Sequence, residues 1–344
     1  MIYYNSNFGF LDALVRGKIG HLLTAKDYSS LCECSSISDL RIHLSHSEYP
    51  ELRNESSDLD VGRFRDVLMT NYVSAFHFIK STSTSLLSQF LDYCTYGYMI
   101  DNITLIIQGS LRGSNLEKLI HKCHPLGLFK NLNLVAAAST PEEVYRMVLI
   151  DTPLAGYFEQ CITATALNDL HIEIIRNTLY KCYLEDFHRF VSTKLSKVAG
   201  ASLLNMLEFE ADRRKISITL NSLTTDLTRD ERVQLFPDIG RLSPQSIKAL
   251  RQASSVVEVE QAVRGTSYES MLKTSQSSQD LTMDDLFYRS EIMMCKNSCL
   301  APFNFSVFYS WMRMKEQEIR NLVWIFQCID QNQIAKIQRY ISIY

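Results

Sequence analysis

At 344 residues the chain exceeds one ordinary domain, and a prior of about 150 residues per domain suggests two or three units. Hydrophobic residues at 46% and charged residues at 21%, with 12 Gly and 7 Pro, favour a helical globular protein with few tight turns. The balance of 35 basic against 38 acidic residues, net -3, gives no electrostatic reason to expect a nucleic-acid ligand, which would need a concentrated basic face.

Nine cysteines, an odd number scattered along the chain, imply reduced thiols rather than a disulfide framework. The N-terminal stretch MIYYNSNFGFLDAL has neither the basic start nor the continuous apolar core of a signal peptide, and no window approaches 18 uninterrupted apolar residues. The chain is therefore expected not to span a membrane by itself.

Taken in order, residues 8–24 predict a short helix followed by a turn, with Gly17 and Gly20 as breakers. Ser36 and Asp39 have capping-box spacing before Leu40 and Leu44, so a helix starts there. A polar passage from about 50 to 61 reads as a loop. Residues 62–108 carry helical periodicity, broken at the small residues Ser81 to Ser85. Residues 169–187, DLHIEIIRNTLYKCYLEDF, project apolar side chains such as Leu170, Ile174, Leu179 and Phe187 to nearly every side. A helix apolar all round is a buried helix, and its Glu173, Arg176 and Asn177 then require partners on surrounding helices. Residues 264–285 are Ser- and Gln-rich and read as a mobile surface loop. The chain closes on an apolar-periodic helix through Trp324, Ile329 and Ile337 to Tyr344, which predicts a docked C-terminus.

The capping box recurs. Ser36 and Asp39 precede Leu40 and Leu44, Thr140 and Glu143 precede Val144 and Val148, and Ser255 and Glu258 precede Val259 and Val263, at intervals of 104 and 115 residues. A polar pair inside a long apolar helix follows each cap after 65, 73 and 65 residues: Asp101 and Asn102, Arg213 and Arg214, Arg320 and Asn321. Two landmarks in the same order define an internal repeat, too long for a solenoid unit, so each copy is expected to be a helical lobe. The lobes run approximately 1–115, 116–225 and 226–344, with terminal helices free to exchange between them.

Chemistry is conspicuous by its absence from the sequence. GSLRGS at 109–114 lacks the lysine and the preceding strand of a P-loop. Cys32, Cys34, His43 and His46 are spaced too tightly for a zinc knuckle, and His121, Cys123 and His124 sit at a turn with Pro125 and Gly127. Glu185 and His188 form one Glu-x-x-His where a di-iron bundle needs two. No nucleophile elbow or Cys-His pair appears. No catalytic residue, cofactor, metal or small-molecule substrate is expected.

DYCTYGYMIDN at 92–102, HPLG at 124–127, VLIDTPLAGYF at 148–158, HIEIIRNTLYKCYLEDF at 171–187, FEADRR at 209–214, LFPDIGRL at 235–242 and KEQEIRNLVWI at 315–325 closely resemble the subunit d family of the vacuolar-type proton ATPase. The resemblance covers essentially the whole chain. It implies an all-α funnel of three similar lobes with pseudo-threefold arrangement around a central cavity, and no catalytic activity. It further implies a seat on the cytosolic face of vacuolar or endosomal membranes, without a transmembrane segment. The implied partners are the proteolipid c-ring, the central-stalk rotor subunits and the cytosolic domain of the large stator subunit. Departures fall near 81–85 and 266–279 and in a basic, small-residue linker at 193–204.

A rotary adaptor must transmit torque without deforming, and packed helices cross-tied by ion pairs make a stiff body. Asp101, Asn102, Glu173, Arg176, Asn177, Glu210, Asp212, Arg213, Arg214, Glu316, Glu318, Arg320 and Asn321 are accordingly expected to tie lobes together or to line the cavity. The competing expectation is a helical scaffold in membrane trafficking, with soluble partners and no link to proton pumping.

Overall fold

The computed structural model describes residues 2–56, 59–138, 140–150, 152–159, 169–277, 281–341 and 343, and every regular element among them is helical. In chain order the α-helices are α1 (Ile2–Gly20), α2 (Ala25–Cys32), α3 (Ile37–Ser45), α4 (Val61–Thr82), α5 (Ser85–Leu111), α6 (Leu116–Lys122), α7 (Pro141–Val144) and α8 (Ala155–Phe158). They continue as α9 (Asp169–Lys194), α10 (Lys197–Ser222), α11 (Arg229–Gln234), α12 (Pro244–Gln252), α13 (Val256–Ala262), α14 (Ser267–Ser277), α15 (Met283–Cys299) and α16 (Ser306–Asp330).

The helix starts follow local chemistry. Ser36 Oγ accepts from Asp39 N, Thr140 Oγ1 from Glu143 N and Ser255 Oγ from Glu258 N, so all three repeat caps form. Of the three, Thr140 completes the reciprocal box, donating its N–H to Glu143. Glu258 instead accepts from Ser254 N, one residue early, which holds its carboxyl below the usual range. The side chain of Val148, together with Leu170 and Tyr344, lies outside the described residues.

Four expectations need correction. α1 runs unbroken through Gly17, because Phe8, Leu11, Val15 and Ile19 bury one face at helical spacing; that burial exceeds the cost of about 1 kcal/mol for one interior glycine. The Ser-rich stretch after 264 contains helix α14, anchored by buried Tyr268 and Leu272 one turn apart, with its Ser and Gln residues turned outward. The 193–204 linker shrinks to Leu195 and Ser196 between α9 and α10. The C-terminal helix stops at Asp330, where Asn332 adopts φ 53° and Gln333 N reaches back to Cys328 O at 2.7 Å, an αL stop that satisfies one of the helix's last carbonyls. A 3-10 segment, Ile334–Arg339, and an extended tail follow, docked through buried Ile337, Ile341 and Ile343. The break at 81–85 and the turn at HPLG stand where the sequence places them.

The chain divides into two compact units. The first comprises Met1–Leu91, Val198–Leu203 and Thr274–Tyr344. Its centre is α16, packed on α15, α1, α4 and α3, with Phe64 stacked on Phe326 and Tyr72 edge-on to Trp311. Such aromatic pairs contribute about 1 kcal/mol each beyond the area they bury. The second unit comprises Asp92–Lys197 and Leu204–Lys273. Its core is built on α9, where Ile172, Leu179, Leu184 and Phe187 are buried and Tyr93 stacks on Phe187. Compact units follow packing rather than sequence order. The first cap, Ser36, and the third polar pair, Arg320 and Asn321, belong to the first unit, while Asp101, Asn102, Arg213, Arg214 and Ser255 belong to the second.

Candidate functional site

The polar residues singled out by the sequence gather into several ties of different burial. On α9, Arg176 lies 3.1 Å from Asp101 on α5 and 3.9 Å from Glu173. Gln108 donates to Glu173, and Asn177 donates to Glu173 O within its own helix. The side chains of Arg176, Asp101 and Glu173 are 38%, 47% and 48% exposed, so α9 is not enclosed on all sides: it presents a polar stripe to solvent and buries the remaining faces. Projection of its apolar residues overstates burial because Ile174 and Thr178 sit half-buried at the stripe's edge. Burial opposes the charge of Arg176, but Asp101, Tyr180 and Glu173 more than offset it, and its pKa is raised. Half-exposed pairs of this kind are worth up to about 1 kcal/mol.

Along α10, Glu210 accepts two hydrogen bonds from Arg213, at 2.6 and 2.7 Å, and also faces Arg214 at 2.8 Å. Arg214 in turn lies over the Tyr180 ring, 3.3 Å from its centroid, which joins α10 to α9 by a cation–π contact.

Next to these, Asp212 and Lys215 form a fully buried pair at 3.2 Å. Asp212 also accepts from Arg241 N, Leu242 N and the Tyr268 hydroxyl, and Lys215 donates to Ile239 O at 2.6 Å. A buried pair is tolerable only when its remaining lone pairs and protons are met, and here the loop 239–242 and α14 meet them. Gly240 makes this possible. Its φ is 139°, and a Cβ there would fall 2.2 Å from Asp212 Oδ1 and 2.5 Å from Lys215 Nζ.

The first unit repeats the device on α16. Lys315 and Glu318 pair at 2.7 Å, both buried, and Glu318 accepts from Tyr49 Oη at 2.6 Å and Leu23 N at 2.7 Å. Lys315 Nζ sits 4.4 Å from the Tyr49 ring centroid, and burial together with Glu318 pushes the Tyr49 hydroxyl well above its usual pKa. Arg313 bridges Glu291 on α15 and Glu316 on its own helix. Burial works against that guanidinium, and the two carboxylates prevail. Arg320 lies over the Tyr288 ring at 4.2 Å.

Asn102 and Asn321 share a further function. Asn102 donates to His124 O and accepts from His124 N; Asn321 donates to Ile341 O and accepts from Ile341 N. Each amide thus mimics a strand partner for one residue of an extended segment 22 or 20 positions downstream. Asp212 holds two successive backbone N–H groups 29 and 30 positions downstream. The helices α5, α10 and α16 therefore each pin a following segment with a buried polar group. Asn321→Leu is expected to cost about 3 kcal/mol, since it leaves both polar groups of Ile341 unmet. Chemical denaturation checks this, and a loss under about 0.5 kcal/mol would contradict the clamp.

Sequence reasoning misses several participants. Lys215 and Lys315 are readable, since each stands three residues from a carboxylate inside an apolar helix. Glu291, Tyr49 and Tyr268 are not, because their partners are far away in sequence. Asp186, which accepts from both Tyr93 and Tyr157, is likewise silent. Arg232 is buried and donates to Leu250 O and Ala253 O at the end of α12, a cation at a helix C-terminus. Burial, with Arg229 nearby, lowers its pKa. Among the described residues no group of three or more His, Cys, Asp or Glu gathers to hold a metal ion, and no helix is long and apolar enough to cross a membrane.

Comparison with known proteins adds an independent line. A family model described as ATP synthase (C/AC39) subunit matches residues 11–340. The chain is 41% identical over 339 residues to a protein of Oryza sativa subsp. japonica named probable V-type proton ATPase subunit d, covering 98% of this chain and 96% of that one. It is 40% identical over 339 residues to the V-type proton ATPase subunit d2 of Arabidopsis thaliana, covering 97% and 95%. Against the V-type proton ATPase subunit d of Saccharomyces cerevisiae it is 38% identical over 348 residues, covering 100% and 99%.

Proposed function

The chain belongs to the ATP synthase (C/AC39) subunit family, and from that membership we propose that it is a non-catalytic coupling subunit of a V-type proton-pumping ATPase. In this reading it links the central-stalk rotor to the proteolipid c-ring on the cytosolic face of the membrane, so that ATP hydrolysis elsewhere drives proton transport. The observation that carries the reading is the match to V-type subunit d relatives over nearly the whole length of both chains.

The side-chain chemistry supports it. The notable charges engage one another, backbone groups or aromatic rings, as Asp212, Glu318 and Arg313 do. Ion pairs embedded in dense packing resist deformation, which a torque-bearing part requires. A three-lobed organisation, near 1–115, 116–225 and 226–344, is part of the proposal, supported by three formed caps and three helix-to-segment clamps. The residues from Asp101 to Asn321 named above then serve as stiffening ties.

Affinity isolation of the tagged chain from detergent-solubilised membranes is expected to recover c-ring and central-stalk subunits. Recovery of soluble trafficking factors without either would replace the coupling role with the scaffold alternative. An Arg176→Ala/Arg213→Ala variant should assemble, since the Arg176 pairs are half-exposed and Glu210 keeps Arg214 as a partner, but should transport fewer protons per ATP hydrolysed. Unchanged coupling in vesicles would remove the stiffening role from these two residues.

A further inference from the structure

One stretch of the second unit enters these ties only through the Asn102 clamp on His124. Residues 111–134 carry Arg112, Lys118, Lys122 and Lys130 against the single acid Glu117, in a chain whose net charge is -3. All four cations are exposed, and among the described residues Lys118, Lys122 and Lys130 have no carboxylate within ion-pair distance. Interspersed with them are Leu111, Leu128 and Leu134, which are 47%, 47% and 42% exposed.

These residues occupy one compact knot of chain. Ser110 Oγ donates to Ala136 O at 2.7 Å, α6 packs on the 3-10 segment Leu132–Ala137, and Leu119 fills the space beside Gly109. The Asn102 clamp on His124 fixes the turn between them. The knot is thus a held segment, with its own apolar residues Leu119, Leu126, Leu132 and Val135 buried while Leu111, Leu128 and Leu134 stay exposed.

We propose that residues 111–134 form a docking surface for an anionic lipid bilayer, the leucines entering the interface and the lysines meeting headgroup phosphates. Half-exposed leucines set among lysines match the division of labour at a membrane surface, where apolar side chains enter the acyl boundary and lysine stems carry their charge back to the headgroups. The cations are mostly lysines, point charges suited to a diffuse anionic surface, where an acidic protein partner would be better read by arginine forks. This goes beyond the coupling role, which holds the chain at the membrane through other subunits; here the chain touches lipid itself.

The test uses the purified full-length chain and vesicles that contain no other subunit, so its outcome is separate from that of the coupling proposal. Sedimentation with phosphatidylcholine vesicles carrying about 30 mol% phosphatidylserine is expected to bind the chain, with binding lost in pure phosphatidylcholine and weakened by salt. Each of Lys118→Glu, Lys122→Glu and Lys130→Glu should weaken binding by at least about fivefold, and the triple variant should abolish it while helicity by circular dichroism is kept. If the triple variant fails to fold, Leu128→Ser and Leu134→Ser decide the matter, each expected to weaken binding about fivefold with the salt dependence unchanged. No preference for the anionic vesicles, or full binding by these variants, would overturn the proposal. So would indifference to vesicles combined with lysine-dependent capture by an acidic peptide, which would assign the surface to a protein partner.

Discussion

Glu318→Ala is expected to lower the unfolding free energy of the first unit by about 3–5 kcal/mol. The carboxylate is buried and receives Lys315 Nζ, Tyr49 Oη and Leu23 N. Its removal leaves an ammonium inside the core, over the Tyr49 ring but without its carboxylate, together with an unmet hydroxyl and an unmet backbone N–H. The comparison that isolates the cause is a Lys315→Met/Glu318→Leu double variant, which removes both charges and should recover most of the loss. Both tryptophans, Trp311 and Trp324, lie in this unit, so their fluorescence in a urea titration reports its unfolding directly. A Glu318→Ala loss below about 1 kcal/mol would show that the pair contributes little.

The second large effect is expected at Asp212→Ala, also about 3–5 kcal/mol, but in the other unit. Four donors converge on this carboxylate: Lys215, the backbone of Arg241 and Leu242, and the Tyr268 hydroxyl. Burial first, and then Asp212, pushes the Tyr268 hydroxyl far above its ordinary pKa, as a hydroxyl donating to a buried carboxylate should be. Loss of Asp212 strands Lys215 and frees the 239–242 loop. Amide hydrogen exchange should therefore quicken over 239–242 and α14, while the tryptophan transition of the first unit stays near its parent midpoint. Exchange unchanged over that loop would mean that Gly240 and local packing hold it without the carboxylate.

The clamps show how far each level of description reaches. Asn102 and Asn321 stand out in the sequence as polar residues in apolar helices, and their alignment after the Ser36 and Ser255 caps marks them as counterparts. Nothing in that pattern says that each binds one residue's N–H and C=O. In the middle copy the aligned position is Arg214, yet Asp212 holds the following segment. The exchange of roles is invisible to alignment because a backbone clamp depends on where the returning chain passes, not on the register of the helix alone.

The family, the all-helical class, the caps at Ser36, Thr140 and Ser255, and the break between α4 and α5 were determined by the sequence itself. These depend on residues within a turn or two of each other, or on long motifs that need no geometry to be recognised. Only the tertiary structure decided which charges are buried, that α9 keeps a solvated stripe, and that Glu318 meets Tyr49 across 269 residues. Whether a side chain is buried depends on which distant segments cover it, and helical periodicity constrains the face of one helix without saying what lies opposite. For the same reason composition hides α14: Tyr268 and Leu272 make a helix of a Ser-rich stretch only because the Asp212 carboxylate and the core of its unit stand ready to receive them.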